Sequence, residues 1–211
     1  MVTDTFTIQL FPLLKTPWIL DADITVKPLY GHQEGAKIGY NPQKPGRPSH
    51  TYHTYMMANT RLVLEVEVQS GNQAHSNHSL PGLMSLLKRF SVDERPEFVR
   101  GDIGYGTDKF MKELESINQP YLFKLKRSKN VKELIGKHHG LGEWTVVRKG
   151  WEAKDDDIQL DGWEMPRRVV IIRRRLSNDN MVAIEYKKRE VNKRWYLLMD
   201  RKILKPMSTP Y

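Results

Sequence analysis

The sequence predicts an α/β protein: a mixed sheet with flanking helices, followed by a β-rich subdomain. Two kinds of periodicity and one shift in composition carry this reading. Residues 61–69 alternate apolar and polar with period two, the mark of a half-buried strand. Leu83, Leu86, Leu87 and Phe90, and later Phe110, Met111, Leu114 and Ile117, recur at helical spacing. After Arg127 the chain changes to alternating stretches divided by polar turns. With 211 residues, 39% hydrophobic and 28% charged, it is globular and long enough for one sizeable core or a core plus a small subdomain.

Residues 1–17 have no strong period and read as an N-terminal segment, expected to be truncated. The run 18–26, Trp-Ile-Leu-Asp-Ala-Asp-Ile-Thr-Val, sets two acids between apolar residues and predicts a buried strand. A carboxylate in such a strand is costly unless a cation or hydrogen bonds satisfy it, so Asp21 and Asp23 need an explanation. Residues 27–48 are rich in Gly, Pro, Gln and Asn and predict a long loop. Loops of that length are usually functional or disordered, and Lys27, His32, Glu34, Lys37, Lys44 and Arg47 favour binding. Residues 49–58 and 61–69 predict two more strands turning at Asn59-Thr60, which with the first make an antiparallel meander.

A polar loop over 71–78 leads to a helix over 80–90 with Pro81 near its first turn. Residues 98–102 are a short strand ending on Asp102, and Gly104 and Gly106 break the chain after it. A helix over 107–117, capped by Thr107 or Asp108, and a strand over 121–126 follow. The order β-β-β-α-β-α-β, with acids on the first and fourth strands, outlines a ribonuclease H-like core. A short helix over 131–139 and strands over 144–151, 167–176 and 181–188 form the β-rich subdomain. The domains expected are thus an N-terminal segment 1–17, a core 18–128, a subdomain 129–188 and a weakly patterned tail 189–211.

The net charge of +9 points to a polyanionic partner, most often nucleic acid. No cysteine is present, which excludes disulfides and thiolate zinc sites. No apolar run approaches the ~20 residues of a membrane span, so no membrane partner is expected. Asp23 and Asp102 each end a predicted strand, and neighbouring strands of one sheet would set them side by side. Two adjacent carboxylates repel unless a hard cation neutralises them, and Mg²⁺ or Mn²⁺ takes oxygen ligands. Such ions activate an attacking oxygen and stabilise a leaving oxygen at phosphorus. Asp before Gly is also ordinary turn chemistry.

The run 20–50, opening Leu-Asp-Ala-Asp-Ile-Thr-Val-Lys-Pro-Leu-Tyr-Gly-His-Gln-Glu-Gly, resembles the first catalytic block of DDE transposases from bacterial insertion sequences. Val-Arg-Gly-Asp-Ile-Gly-Tyr-Gly over 99–106 resembles their second block. Residues 164–175 resemble the β-rich insertion that interrupts their ribonuclease H-like core. The resemblance implies metal-dependent DNA strand cleavage and joining, with Mg²⁺ or Mn²⁺ as cofactor. It implies DNA partners (transposon ends and target), allows a homodimer, and places the protein in a bacterial cytoplasm. The family's Asp-x-Thr pattern favours Asp23 as first ligand, with Asp21 as the alternative, and Asp102 as second. Period two sets Asp21 and Asp23 on one face, so strand geometry alone does not separate them.

The third acid of the family follows a Tyr-x2-Arg-x3-Glu pattern. Tyr186 and Arg189 match its start, but the Glu position is Lys193, leaving Glu185 or Glu190 as substitutes. The expectation is a copy truncated at both ends and lacking the third acid. A non-catalytic DNA-binding remnant and a stand-alone ribonuclease H-like nuclease are the alternatives. Lys27, Lys44, Arg47, Arg173, Arg174 and Arg175 are candidate DNA contacts, because backbone recognition needs charge. His50 and His53 are expected on opposite strand faces, and His75 with His78 lacks a Cys partner for zinc. His138 and His139 read as solvated or phosphate-contacting, and Trp144, Trp151 and Trp163 as core of the subdomain.

Overall fold

The computed structural model describes residues 17–41, 44–139, 144–174 and 197–200. They fall into two compact units, one ending at Phe123 and the other beginning at Lys124. The first holds β1 (Ile19–Pro28), β2 (Lys37–Ile38), β3 (Pro48–Met57), β4 (Leu62–Ser70), α1 (Leu80–Lys88), β5 (Phe98–Gly101), α2 (Asp108–Ser116) and β6 (Tyr121–Phe123). The sheet runs β2-β3-β1-β5-β6, with β4 also paired to β3. β1, β3 and β4 form the antiparallel meander, while β5 and β6 pair parallel to β1 and β5. Parallel neighbours need crossover connections, and α1 and α2 lie in those crossovers. This is the ribonuclease H-like arrangement expected from the order of elements.

Register explains which side of each strand is buried. Leu20 lies opposite Val99 and Met57, and Ala22 opposite Gly101 and Tyr55. Val99 and Gly101 in turn lie opposite Tyr121 and Phe123. All eight are buried, and they form one face of the sheet. α2 turns Phe110, Met111 and Leu114 inward, and the Phe110 ring meets Phe123 edge-on at 5.7 Å. Trp18 packs edge-on against Phe90, just beyond α1, at 5.5 Å. Thr107, rather than Asp108, caps α2 by accepting from the Phe110 amide. Asp21, Asp23, Thr25 and Lys27 stand on the other face of β1.

β1 extends two residues past the predicted end because β3 continues the ladder with Lys27 opposite His50 and Pro28 opposite Ser49. β6 stops at Phe123 instead of 126. His53 is fully buried on β3, and its Nε2 donates to the Gln73 carbonyl at 3.0 Å, tying the 71–78 segment to the sheet. His50, on the opposite face, bonds the Glu34 carbonyl.

The second unit holds α3 (Lys129–His139), β7 (Thr145–Arg148), β8 (Trp151–Ile158), β9 (Arg167–Arg174) and β10 (Leu197–Asp200), with sheet order β10-β9-β8-β7. It differs from the expected strands in two ways. A turn at Lys149-Gly150, with Gly150 at φ 77°, splits the predicted 144–151 strand and starts β8. β10 lies in the stretch that reads as a weakly patterned tail, and it pairs with β9. His138 is not solvated: it is buried and bonded to Asp156. Trp163 is buried, whereas Trp144 and Trp151 are half-buried. The predicted 181–188 strand lies outside the described residues.

A Cβ on Gly101 would stand 2.7–2.9 Å from the Cβ and ring atoms of Tyr105. Gly101→Ala is expected to destabilise the protein by about 1–3 kcal/mol, read by urea unfolding. Burial lowers the pKa of His53, with the nearby His78 acting the same way and the Gln73 carbonyl opposing both. The unfolded chain then binds more protons than the folded one below the ordinary histidine pKa of ~6.5. Stability is fully present above that pH and declines as pH falls through it. His53→Gln removes this part of the slope in thermal melts between pH 8 and 5.

Candidate active site

The parallel β1–β5 pairing ends with Ala22 opposite Gly101, and the next residues are Asp23 on β1 and Asp102 just past the end of β5. Both are exposed, and both line one cleft of about 390 Å³ with Ile24, Tyr40, Ala74, His75, Ser76, Gly104 and Tyr105. Asp102 has an extended backbone, φ −80° and ψ −174°, and the 3-10 turn Ile103–Tyr105 starts directly after it. Its side chain does not cap that turn. The turn folds Tyr105 back over Gly101, where the missing Cβ leaves room for the ring. The break in the chain that the glycines predict therefore has a packing cause.

Asp21 has a different environment. Arg100 lies beside it in the β1–β5 register, and the guanidinium Nε and Nη2 each donate to one Asp21 oxygen at 2.6 Å. This bidentate bond holds the Arg100 pKa above its ordinary value. The cation that the sequence demands for Asp21 is thus an arginine. Asp21 and Asp23 share a strand face, as period two requires, and their neighbours on β5 distinguish them.

The wall opposite the strands comes from the segment between β4 and α1. Ser76 donates to the Gly104 carbonyl, and the Ser79 hydroxyl donates to the Ser76 carbonyl at 2.6 Å. The Tyr55 hydroxyl donates to the Ser79 carbonyl at 2.6 Å, linking this wall to the middle of β3. Tyr105 is buried below it. Burial pushes its phenol well above the ordinary pKa; the nearby Ser79 hydroxyl acts against this, and the Asp23 and Glu67 charges add to it. The phenol therefore keeps its proton. Tyr40, Ser76 and Tyr105 are cleft residues that sequence reasoning missed. They sit in loops without a period, and only the sheet topology brings them together.

The remaining predicted residues are dispersed. Lys27 is exposed on the Asp23 side of β1. In the long loop, Lys44 bonds the Tyr30 hydroxyl and stands 5.0 Å from its ring centroid, and the Arg47 guanidinium lies 4.5 Å from the same centroid. The Lys44 hydrogen bond lowers the Tyr30 pKa. On β9, Arg173 pairs with Glu152 and stacks over Trp144 at 3.9 Å. Arg174 closes β9, and Arg175, Glu185 and Glu190 lie outside the described residues.

Among the described residues, no group of three or more His, Cys, Asp or Glu side chains is arranged to hold a metal. The pair Asp23 and Asp102 supplies hard oxygen donors in an open cleft, and no Lys or Arg is among the described residues that line it. That donor set fits a divalent cation that keeps part of its water shell. Among the described residues, no helix is long and apolar enough to cross a membrane.

The family described as Transposase DDE domain group 1 matches residues 4–186. No curated protein matches the chain. Among solved structures, it is similar to the piggyBac transposase synaptic complex with hairpin DNA, at 14% identity and TM-score 0.44. That match covers 86% of this chain and 32% of the piggyBac chain, so the protein spans about a third of that relative. It is also similar to a chain of the simian T-cell lymphotropic virus intasome, at 11% identity and TM-score 0.33, covering 88% of this chain and 81% of that one. With most of its length matched by the family, the chain belongs to the group 1 transposase DDE domains.

Proposed function

We propose that this protein cleaves and joins DNA strands in transposition, using Mg²⁺ or Mn²⁺ held by Asp23 and Asp102. The observation that carries the reading is that Asp23 on β1 and Asp102, directly after the neighbouring parallel strand β5, line one cleft. Membership of a DDE family, whose members use divalent metal, supports it. A bound divalent ion would supply Lewis-acid polarisation of a phosphoryl oxygen and ease deprotonation of the attacking oxygen.

Each side chain of the site has a distinct task in this reading. Asp23 and Asp102 hold the cation through their carboxylate oxygens. Arg100 keeps Asp21 engaged, so that Asp21 orients the strand pair instead of competing for the ion. Tyr105, protonated and buried, supports the floor beneath Asp102. Lys27 on the Asp23 side of β1, and Lys44 and Arg47 gathered at Tyr30 in the long loop, supply exposed positive charge for a DNA backbone. Glu185 and Glu190 are the candidates for a third acid. The DNA partners are transposon ends and target, in a bacterial cytoplasm.

The test is a nicking assay on labelled DNA carrying the element's ends. Cleavage is expected with Mn²⁺ and none with EDTA. Asp23→Asn and Asp102→Asn should each lose more than about 100-fold in rate, beyond what outer-shell changes cost. Asp21→Asn should fall within the outer-shell range. Salt-sensitive binding without nicking would instead make the chain a non-catalytic DNA-binding protein.

A second measurement concerns the loop. Lys44→Ala and Arg47→Ala should each weaken binding across all sequences. Each should also reduce the slope of log affinity against log salt by about 1, as loss of one phosphate contact does.

A further inference from the structure

We infer that His75 is a substrate-binding residue of the cleft, donating its Nε2–H to a non-bridging oxygen of the DNA phosphate held there. This rests on the reading of the cleft as the site of strand cleavage. His75 lines the same cleft as Asp23 and Asp102. It stands at the start of the 3-10 turn Ser76–His78, and its Nδ1 accepts a hydrogen bond from the Asn77 backbone amide at 3.2 Å. A ring nitrogen that accepts an N–H must carry a lone pair. The neutral ring then has its proton on Nε2, because the two nitrogens divide the donor and acceptor roles between them.

Two consequences follow from that tautomer. Nε2 presents a donor, not a lone pair, so His75 is not built as a metal ligand. A ligating histidine donates its other ring N–H to a neighbour, whereas the other nitrogen here accepts one. The zinc pairing of His75 with His78 is therefore disfavoured by the cap itself. The second consequence is positive. Among the described lining residues, His75 is the only one with a side-chain N–H, and no Lys or Arg is present to take an anion. A phosphodiester brought to the two carboxylates carries non-bridging oxygens that accept such a donor.

The ring is also held in place. Its own cap bond fixes the imidazole against the turn. The turn is held by the Ser76 hydroxyl on the Gly104 carbonyl and by the Ser79 hydroxyl on the Ser76 carbonyl. Gly104 belongs to the loop that carries Asp102, so the donor and the second carboxylate are tied to one rigid segment. Preorganised donors of this kind act on charge that develops in the transition state.

The experiment uses the full chain in two arms. In the first, ¹⁵N-histidine NMR reads the tautomer: Nε2–H is expected for His75. That resonance should move when an element-end duplex is added with Ca²⁺. An Nδ1–H tautomer, or no response to DNA that demonstrably binds, overturns the inference. In the second, His75→Ala and His75→Gln are compared in Mn²⁺-dependent cleavage of the two phosphorothioate diastereomers at the scissile position. His75→Ala should cut the rate about a hundredfold. It should also abolish the rate difference between diastereomers, and leave Mn²⁺ binding unchanged. His75→Gln, which keeps an N–H donor, should recover part of the rate. Unchanged rates, or weakened Mn²⁺ binding, overturn the inference alone. Absence of cleavage by the parent chain overturns the functional reading, and this inference with it.

Discussion

The parallel pairing of β1 with β5 is the constraint on which the site depends. Leu20 against Val99 and Ala22 against Gly101 are buried, so apolar burial selects the register. The alternate residues then have no freedom: Asp21 meets Arg100, and Asp23 comes beside Asp102. A slip of β1 by one residue would turn Asp21 and Asp23 toward the helices and bring Leu20 to the open face. The charges of the site are thus placed by the hydrophobic residues between them. Gly101 adds a second condition, because only a residue without Cβ lets Tyr105 close over the end of β5.

The cleft combines strand ends with a wall that has no strand character. The wall is held by short polar bonds from Tyr55 through Ser79 and Ser76 to Gly104. Buried His53 holds the preceding segment through the Gln73 carbonyl. These polar groups sit on the helix-facing side of β3, where Ser49, Thr51 and His53 replace the apolar residues usual in a core strand. Thr51 bonds the Gln69 and Ser70 carbonyls and His53 the Gln73 carbonyl, which is how a polar segment is fixed against a buried sheet face.

Much of this was legible in the residues. The period-two pattern of 61–69, the helical spacing of Leu83, Leu86, Leu87 and Phe110, Met111, Leu114, and the strand-ending acids all reflect local rules that the tertiary structure obeys. What was not legible depended on distant partners. β8 carries Glu152, Lys154, Asp155, Asp156 and Asp157, a composition poor in strand formers. It forms a strand because β9 answers its acids: Arg168 binds Asp155 with two bonds, and Arg173 binds Glu152. The same pairing gives Arg173 an intramolecular partner in addition to the DNA role its basic run suggested. The choice between Asp21 and Asp23 likewise could not come from strand period, because it turns on Arg100, 79 positions away from Asp21. His75 was hidden for a third reason: its relation to Asp102 runs through a turn-to-turn bond that no spacing encodes.

In the proposed reading Asp23 and Asp102 bind one divalent cation together, while Asp21 is committed to Arg100. Mn²⁺ titration followed by electron paramagnetic resonance of the free ion tests it without requiring turnover. Asp23→Asn and Asp102→Asn should each weaken Mn²⁺ binding by at least about tenfold, the loss expected when a ligand is removed. Asp21→Asn should leave the titration close to that of the parent chain. Parent-like binding in both Asp23→Asn and Asp102→Asn, or an equal loss in Asp21→Asn, would contradict it.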